Sequence, residues 1–239
     1  MRFTKGRSTS KASTFLVIQD YGNWLQVAVP VRPNGTVGWV LAADVQRLNL
    51  KYRVVVDLSA NTMIVEHAGQ EIYRESVASG TGNTPTPTGL FYVRDLIEEA
   101  EDGPYGPYVL ALSGYSDVLF SFKGGAGGIG IHGTDSPQSI GSNASFGCVR
   151  ITNDSIRRLV HVLPLGTPVE IVRSLADQPS IRRVRAAPDP APPVDEGYQD
   201  GEIEDQELAE ADTGVDIRDA PTYNAEAIDF IEVTTTAAS

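Results

Sequence analysis

The chain has 239 residues, 41% of them apolar, with 19 Lys and Arg against 31 Asp and Glu and a net charge of −12. That length suits one large or two modest domains, and no stretch approaches the ~20 consecutive apolar residues that span a bilayer. Residues 1–173 carry 15 basic and 15 acidic side chains and residues 174–239 carry 4 and 16, so the body is neutral, the tail is acidic, and nucleic acid is argued against as a partner.

In chain order, the stretch MRFTKGRSTSKAST is basic and polar with no apolar segment after it, so no secretory signal is visible in this chain. To about residue 48, short apolar bursts (FLVIQ, NWLQVAV, GWVLA) alternate with turn chemistry at Tyr21-Gly22-Asn23 and Pro33-Asn34-Gly35. That pattern predicts a small antiparallel β unit over 13–48. Trp24 and Trp39 read as core aromatics of such a unit; a ligand-binding surface is the other reading.

Residues 50–173 read as a second, β-rich unit. YRVVVDL and NTMIVEHAGQEIYRES alternate and turn at Ala68-Gly69, a hairpin signal. SGTGNTPTPTG, 79–89, is a loop in which Pro85 and Pro87 exclude a central strand. LFYVRD resumes a strand, and DLIEEAEDGPYGPYVLALSGYS carries an acidic, Gly/Pro-rich excursion of the kind that bears function. VLFSF, a glycine-rich connector and GIGIHGT follow. The one predicted helix is NDSIRRLVHVL, with Asn153 or Asp154 as cap and Ile156, Leu159, Val160 and Leu163 on one face. TPVEIV closes the unit as a strand. Many strands and one helix predict a sandwich or barrel-like domain. From 176 onward, the Pro/Ala-rich and acidic composition reads as a disordered tail over 176–239. Within it, AEAIDFIEV could dock, with no site indicated.

The chemistry centres on NASFGCVRIT, which holds the single cysteine, Cys148. One cysteine allows no internal disulfide and excludes Cys-rich zinc centres. Of the three histidines, His67 precedes the hairpin turn and His161 lies just past the apolar stripe of the helix, so both read as exposed. His132 ends the apolar strand GIGI and is followed by Gly133, which lets another segment approach its ring. Cys148 follows a polar loop and precedes a helix start, a place where a thiolate is stabilised. Arg150, two residues on, points to the same side of an extended segment, where it lowers the thiol pKa or holds a carboxylate. On residue types alone two readings stay open: a Cys148–His132 nucleophilic pair, and a small buried cysteine beside a hydrogen-bonded structural histidine.

Two resemblances sharpen this. GNWLQVAVPVRPNGTVGWVLAADV resembles a bacterial SH3-like domain through Trp24-Leu25-Gln26-Val27 and Gly38-Trp39-Val40, with the first strands of a full barrel absent or degenerate. SGTGNTPTPTGLFYV, GPYGPYVLALSGYS, IGIHGTDSPQSIG and ASFGCVRITNDSIRRL stand in the order found in YkuD-type L,D-transpeptidase catalytic domains. The second resemblance covers about residues 51–173. It implies a mostly β sandwich with one main helix, and cross-linking of peptidoglycan stem peptides through a cysteine thioester, without metal or organic cofactor. Carried over by position, Cys148 matches the nucleophile and His132 the general base. Gly133 matches the residue whose carbonyl holds the second ring nitrogen. Ser145, Gly147 and Arg150 match the motif around the cysteine, with the Gly147 and Cys148 amides as oxyanion donors. Tyr108 is a candidate for lining the cleft. β-Lactams of the carbapenem type are implied acylating inhibitors, and an extracytoplasmic location is expected from the function.

Two departures stand out. Phe146 occupies the place of a second histidine, and the interval from His132 to Ser145 is shorter than the family pattern. Since the base matches His132, activity is expected to survive with altered substrate handling. The alternatives are a carboxypeptidase or hydrolase on the same thioester path, and an inactive wall-binding protein.

Overall fold

Alternation of apolar and polar residues builds two large sheets, and a third of only two strands, in the computed structural model, which describes residues 13–121 and 125–176 and the backbone of 228–233. The N-terminal strands are β1 (Ser13–Asp20), β2 (Trp24–Ala28), β3 (Val37–Leu41) and β4 (Gln46–Leu50). The next unit contains β5 (Tyr52–Asp57), β6 (Thr62–His67), β7 (Gln70–Ser76), β8 (Ser79–Gly80), β9 (Gly89–Glu98) and β10 (Tyr108–Tyr115). It continues with β11 (Gly128–His132), β12 (Asn143–Ser145), β13 (Val149–Arg150), helix α1 (Asn153–Leu159) and β14 (Pro168–Val172). A last strand, β15, spans Ile228–Val233.

The larger sheet has eight strands in the order β13-β11-β10-β9-β14-β5-β6-β7. The expected hairpin between β6 and β7 forms with Ala68 at φ 50° and Gly69 at φ 76°, the left-handed pair that a two-residue turn needs. One apolar cluster gathers Val54, Val56, Met63, Val65, Val93, Leu110, Leu112, Ile131 and Val169 from the sheet with Ile156 and Leu159 from α1. The helix is held by Thr152, whose hydroxyl accepts from the Ser155 amide at 3.2 Å. The cap is thus Thr152, not Asn153 or Asp154, because Asn153 is engaged elsewhere.

The smaller sheet runs β3-β2-β1-β15-β4. Of the tail read as disordered, residues 177–227 and 234–239 lie outside the described residues, while Ile228–Val233 is a strand. It pairs antiparallel with β1 (Ser13 opposite Val233) and with β4 (Ile228 opposite Leu50). The alternating sequence IDFIEV suits the place, since β1 and β4 would otherwise present open backbone edges. A single residue, Lys51, links β4 to β5. The sheets meet through Leu16 and Tyr92, both 0% exposed, with Ile18, Ala28, Leu48, Leu50 and Leu90 around them.

Candidate active site

Strand parity assembles the site. Ile129 and Ile131 of β11 and Val149 and Ile151 at β13 point into the core and are at most 2% exposed. Side chains alternate along a strand, so His132 on one strand and Cys148 and Arg150 on the other emerge on the opposite face. β11 and β13 pair in parallel, Ile131 opposite Val149 and His132 opposite Arg150. β13 is braced on its other side by Ala78, which exchanges two main-chain hydrogen bonds with Arg150 at 2.8 and 2.9 Å. His132, Cys148 and Arg150 line one cleft of about 180 Å³, with Tyr105, Ser116, Leu119, Gly127, Ser145 and Phe146.

His132 is 2% exposed, and its Nδ1 lies 2.5 Å from the Gly133 carbonyl oxygen. A carbonyl only accepts, so Nδ1 carries the proton and Nε2 is left as the basic nitrogen. Gly133 is itself clamped. Asn153 accepts from the Thr134 amide at 2.7 Å, and a Cβ at Gly133 or at Gly106 would sit 2.3 Å from Asn153 Oδ1. Both glycines therefore admit the same amide side chain. Gly106 has φ 59°, and the turn it closes presents Tyr105 edge-on to the His132 ring at 5.0 Å and 79°.

Cys148 sits on a laced turn. Ser145, 1% exposed, donates from Oγ to the Cys148 carbonyl at 2.5 Å and accepts the Gly147 amide at 3.0 Å. Gly147 has φ 113°, a conformation an L side chain rarely adopts. The Ser145 carbonyl accepts from the Thr81 amide at 3.1 Å and from Thr84 Oγ1 at 3.2 Å. The Thr/Pro loop predicted at 79–89 therefore buttresses the cysteine turn.

Burial dominates the electrostatics. Desolvation lowers the His132 pKa to about 4 against the Gly133 hydrogen bond, with Arg150 adding to the lowering. Desolvation raises the Cys148 thiol pKa, opposed by a main-chain hydrogen bond from Gly130 and by the Arg150 charge. Both directions favour a neutral thiol beside a neutral imidazole at rest. Burial also pushes Tyr105 up to about 12. Arg150 is half-buried, and its Nε has no hydrogen-bond partner.

The other sequence-predicted residues are placed as follows. Phe146 is 59% exposed at the mouth of the cleft. Tyr108 begins β10 and packs against the sheet core, so the tyrosine that lines the cleft is Tyr105. Sequence reasoning missed Tyr105 because only the turn at Gly103–Gly106 aims it back over His132; the pair of glycines flanking Pro104-Tyr105 was the available signal. His67 is exposed and stacks on Tyr52 at 4.6 Å, and His161 is exposed. Among the described residues no group of three His, Cys, Asp or Glu is placed to hold a metal, and no helix is long and apolar enough to cross a membrane.

The profile of the L,D-transpeptidase catalytic domain matches residues 51–171. The YkuD protein of Bacillus subtilis, named as an L,D-transpeptidase, is 33% identical over 124 residues, covering 52% of this chain and 68% of that protein. ErfK/SrfK of Escherichia coli, also named as an L,D-transpeptidase, is 45% identical over 103 residues, covering 40% of this chain and 28% of that one. A solved L,D-transpeptidase of Enterococcus faecium is 25% identical with a TM-score of 0.40, and the match covers 51% of this chain and half of that one. The chain belongs to the YkuD-type L,D-transpeptidase catalytic domain family, enzymes whose shared activity is acyl transfer in peptidoglycan cross-linking.

Proposed function

We propose that Cys148 and His132 carry this chain's L,D-transpeptidase reaction on peptidoglycan stem peptides. The observation that supports it most is the His132 ring, locked by the Gly133 carbonyl so that Nε2 is the basic nitrogen, in the cleft that also holds Cys148. In the first half-reaction the Cys148 proton passes to His132 Nε2 as Sγ attacks the carbonyl of the third residue of a tetrapeptide donor. The bond to terminal D-alanine breaks, the amine leaves with the proton from His132, and a thioester remains. In the second, an acceptor amine gives a proton to His132 and attacks the thioester, forming the cross-link and restoring the thiol. Since desolvation favours the neutral form of both groups at rest, proton transfer accompanies carbon–sulfur bond formation. The Cys148 amide is the donor best placed by its position in the chain to face the oxyanion, since the Gly147 amide is engaged by Ser145. Arg150, with an unpartnered Nε, is the group to hold a stem-peptide carboxylate.

The substrate places the protein outside the cytoplasmic membrane, the N-terminal β unit is an SH3-like module, and carbapenem-type β-lactams acylate Cys148 as Sγ attacks the lactam carbonyl and the ring C–N bond breaks, the freed nitrogen taking the proton from His132 and staying tethered to the acyl group. The test is incubation with disaccharide-tetrapeptide followed by intact-mass analysis, beside Cys148→Ala and His132→Ala. Cross-linked dimer from the wild type and none from either variant is the expected result. Free D-alanine without dimer would identify water as the acceptor instead, and absence of any turnover would overturn the enzymatic reading.

A further inference from the structure

The Pro33-Asn34-Gly35 turn does more than reverse the chain between β2 and β3. Arg32, just before it, reaches across to the catalytic unit. Its Nη1 donates to the Ser116 carbonyl at 2.5 Å, and its Nη2 to the carbonyls of Leu119 at 3.1 Å and Ala126 at 3.0 Å. The same guanidinium lies over the rings of Tyr115 at 5.1 Å and Phe120 at 4.7 Å. Asn34 completes the hold. Its Nδ2 donates to the Tyr115 carbonyl at 2.7 Å, its Oδ1 accepts the Tyr115 amide at 2.9 Å, and the Tyr115 hydroxyl donates to the Pro30 carbonyl at 2.7 Å.

What is held is a wall of the cleft. Ser116, Leu119 and Gly127 line it together with Cys148 and His132. Among the described residues the bonds that hold it from within are the Ser116 amide to the Gly127 carbonyl at 2.8 Å and the Leu119 and Val118 amides to Ser116 Oγ at 3.1 and 3.4 Å. Gly127 is packed so tightly that a Cβ would fall 1.7 Å from the Leu119 carbonyl oxygen. The outward carbonyls of this non-repetitive backbone are gathered by one planar cation, a geometry that suits arginine and that a lysine cannot reproduce.

We infer that Arg32, supported by Asn34, is a positioning residue: through three carbonyls it sets the cleft wall that receives the donor peptide, so the N-terminal unit is part of the active site's construction. The inference rests on the acyl-transfer reading above. A residue that shapes the wall without touching the reacting atoms acts on substrate binding more than on the chemical step.

The experiment uses the full chain as wild type, Arg32→Ala, Arg32→Lys and Asn34→Ala. Three readouts are taken: KM and kcat with the disaccharide-tetrapeptide donor, the rate and pH profile of Cys148 alkylation by iodoacetamide, and amide exchange at 115–120. Arg32→Ala is expected to raise KM about tenfold with kcat changed less than about threefold. Alkylation and its pH profile stay as in wild type, because so small a probe does not need the wall, while exchange at 115–120 accelerates. Arg32→Lys recovers part of the KM, and methylguanidine added to Arg32→Ala recovers more. Unchanged KM and exchange in Arg32→Ala would overturn the inference while the wild type's turnover keeps the acyl-transfer reading. Equal losses in kcat, alkylation and KM would also overturn it, as the mark of a general structural role. If the wild type fails to turn over the donor, the acyl-transfer reading falls, and with it the positioning role.

Discussion

At the scale of single residues, the site is a pair of groups that burial keeps uncharged. His132 is held near a pKa of about 4, so it stays a competent base through mild acid. The acid limb of kcat/KM is expected to have its midpoint near pH 4 rather than near the ~6.5 of a free imidazole. Cys148, pushed up by desolvation, is expected to alkylate with a midpoint above the ~8.5 of an ordinary thiol; a midpoint at or below pH 7 would point to a preformed thiolate–imidazolium pair instead. The same burial has a stability consequence. Between about pH 6.5 and 4 the unfolded chain binds a proton on this histidine and the folded chain does not, so stability falls as pH drops through that window. Chemical denaturation at pH 7 and pH 4.5 measures the loss, and its absence from a His132→Gln variant assigns it. Phe146 occupies the mouth of the cleft, and the proposed base is His132. Phe146→His is therefore expected to leave the acylation rate within about threefold, whereas a hundredfold gain would show that the phenylalanine had cost the enzyme a working group.

At the scale of elements, Asn153 ties the start of α1 to two loops at once. Asn153→Ala removes the acceptor of the Thr134 amide and is expected to cost about 1–3 kcal/mol by urea midpoint. It also frees Gly133, whose carbonyl orients His132, so kcat is expected to fall about tenfold or more. The Thr/Pro loop offers a harsher test. A Cβ at Gly80 would meet the Thr84 carbonyl oxygen at 2.3 Å and the Thr86 nitrogen at 2.5 Å. Backbone cannot give as a side chain can, so Gly80→Ala is expected to cost about 2–4 kcal/mol, with slower Cys148 acylation because this loop braces Ser145. These elements also mark where sequence reasoning reaches and where it stops. The β6–β7 hairpin, the start of α1 with Ile156 and Leu159 turned inward, and the strand into His132 were legible because period and turn chemistry are local, although the helix stops at Leu159, short of the expected Leu163. The shift of the cap from Asn153 to Thr152, and of the cleft tyrosine from Tyr108 to Tyr105, were not. Each depends on what a distant loop does: Asn153 is drawn to Gly106 and Thr134, and Tyr105 is aimed by that same contact. Cys148 and His132 were paired by family resemblance; the parity that brings them to one face needs the β11–β13 register, which no local pattern carries.

For the whole molecule, the two sheets are joined by an apolar seam as well as by the Arg32 turn. Tyr92 belongs to the catalytic sheet, yet it is wholly buried against Leu16 of the N-terminal one. Removing residues 13–48 would bare Tyr92 and Leu90, so that fragment is expected to aggregate or to lose several degrees in Tm, measurable by scanning calorimetry. Neither Tyr92's second partner nor the place of Ile228–Val233 could be read from sequence, because both are pairings between segments far apart in the chain. β15 lies between β1 and β4, where Ser13 faces Val233. This bears on the order of assembly during synthesis. Every strand of the catalytic sheet is made once Val172 has been added, whereas β1, already paired with β2, waits for its second neighbour until the ribosome has passed Val233. Such long-range closure is slow, so the catalytic sheet is formed first and the unit carrying Arg32 is completed last. A nascent chain halted before Ile228 would hold Cys148 and His132 in register with the small sheet still open between β1 and β4.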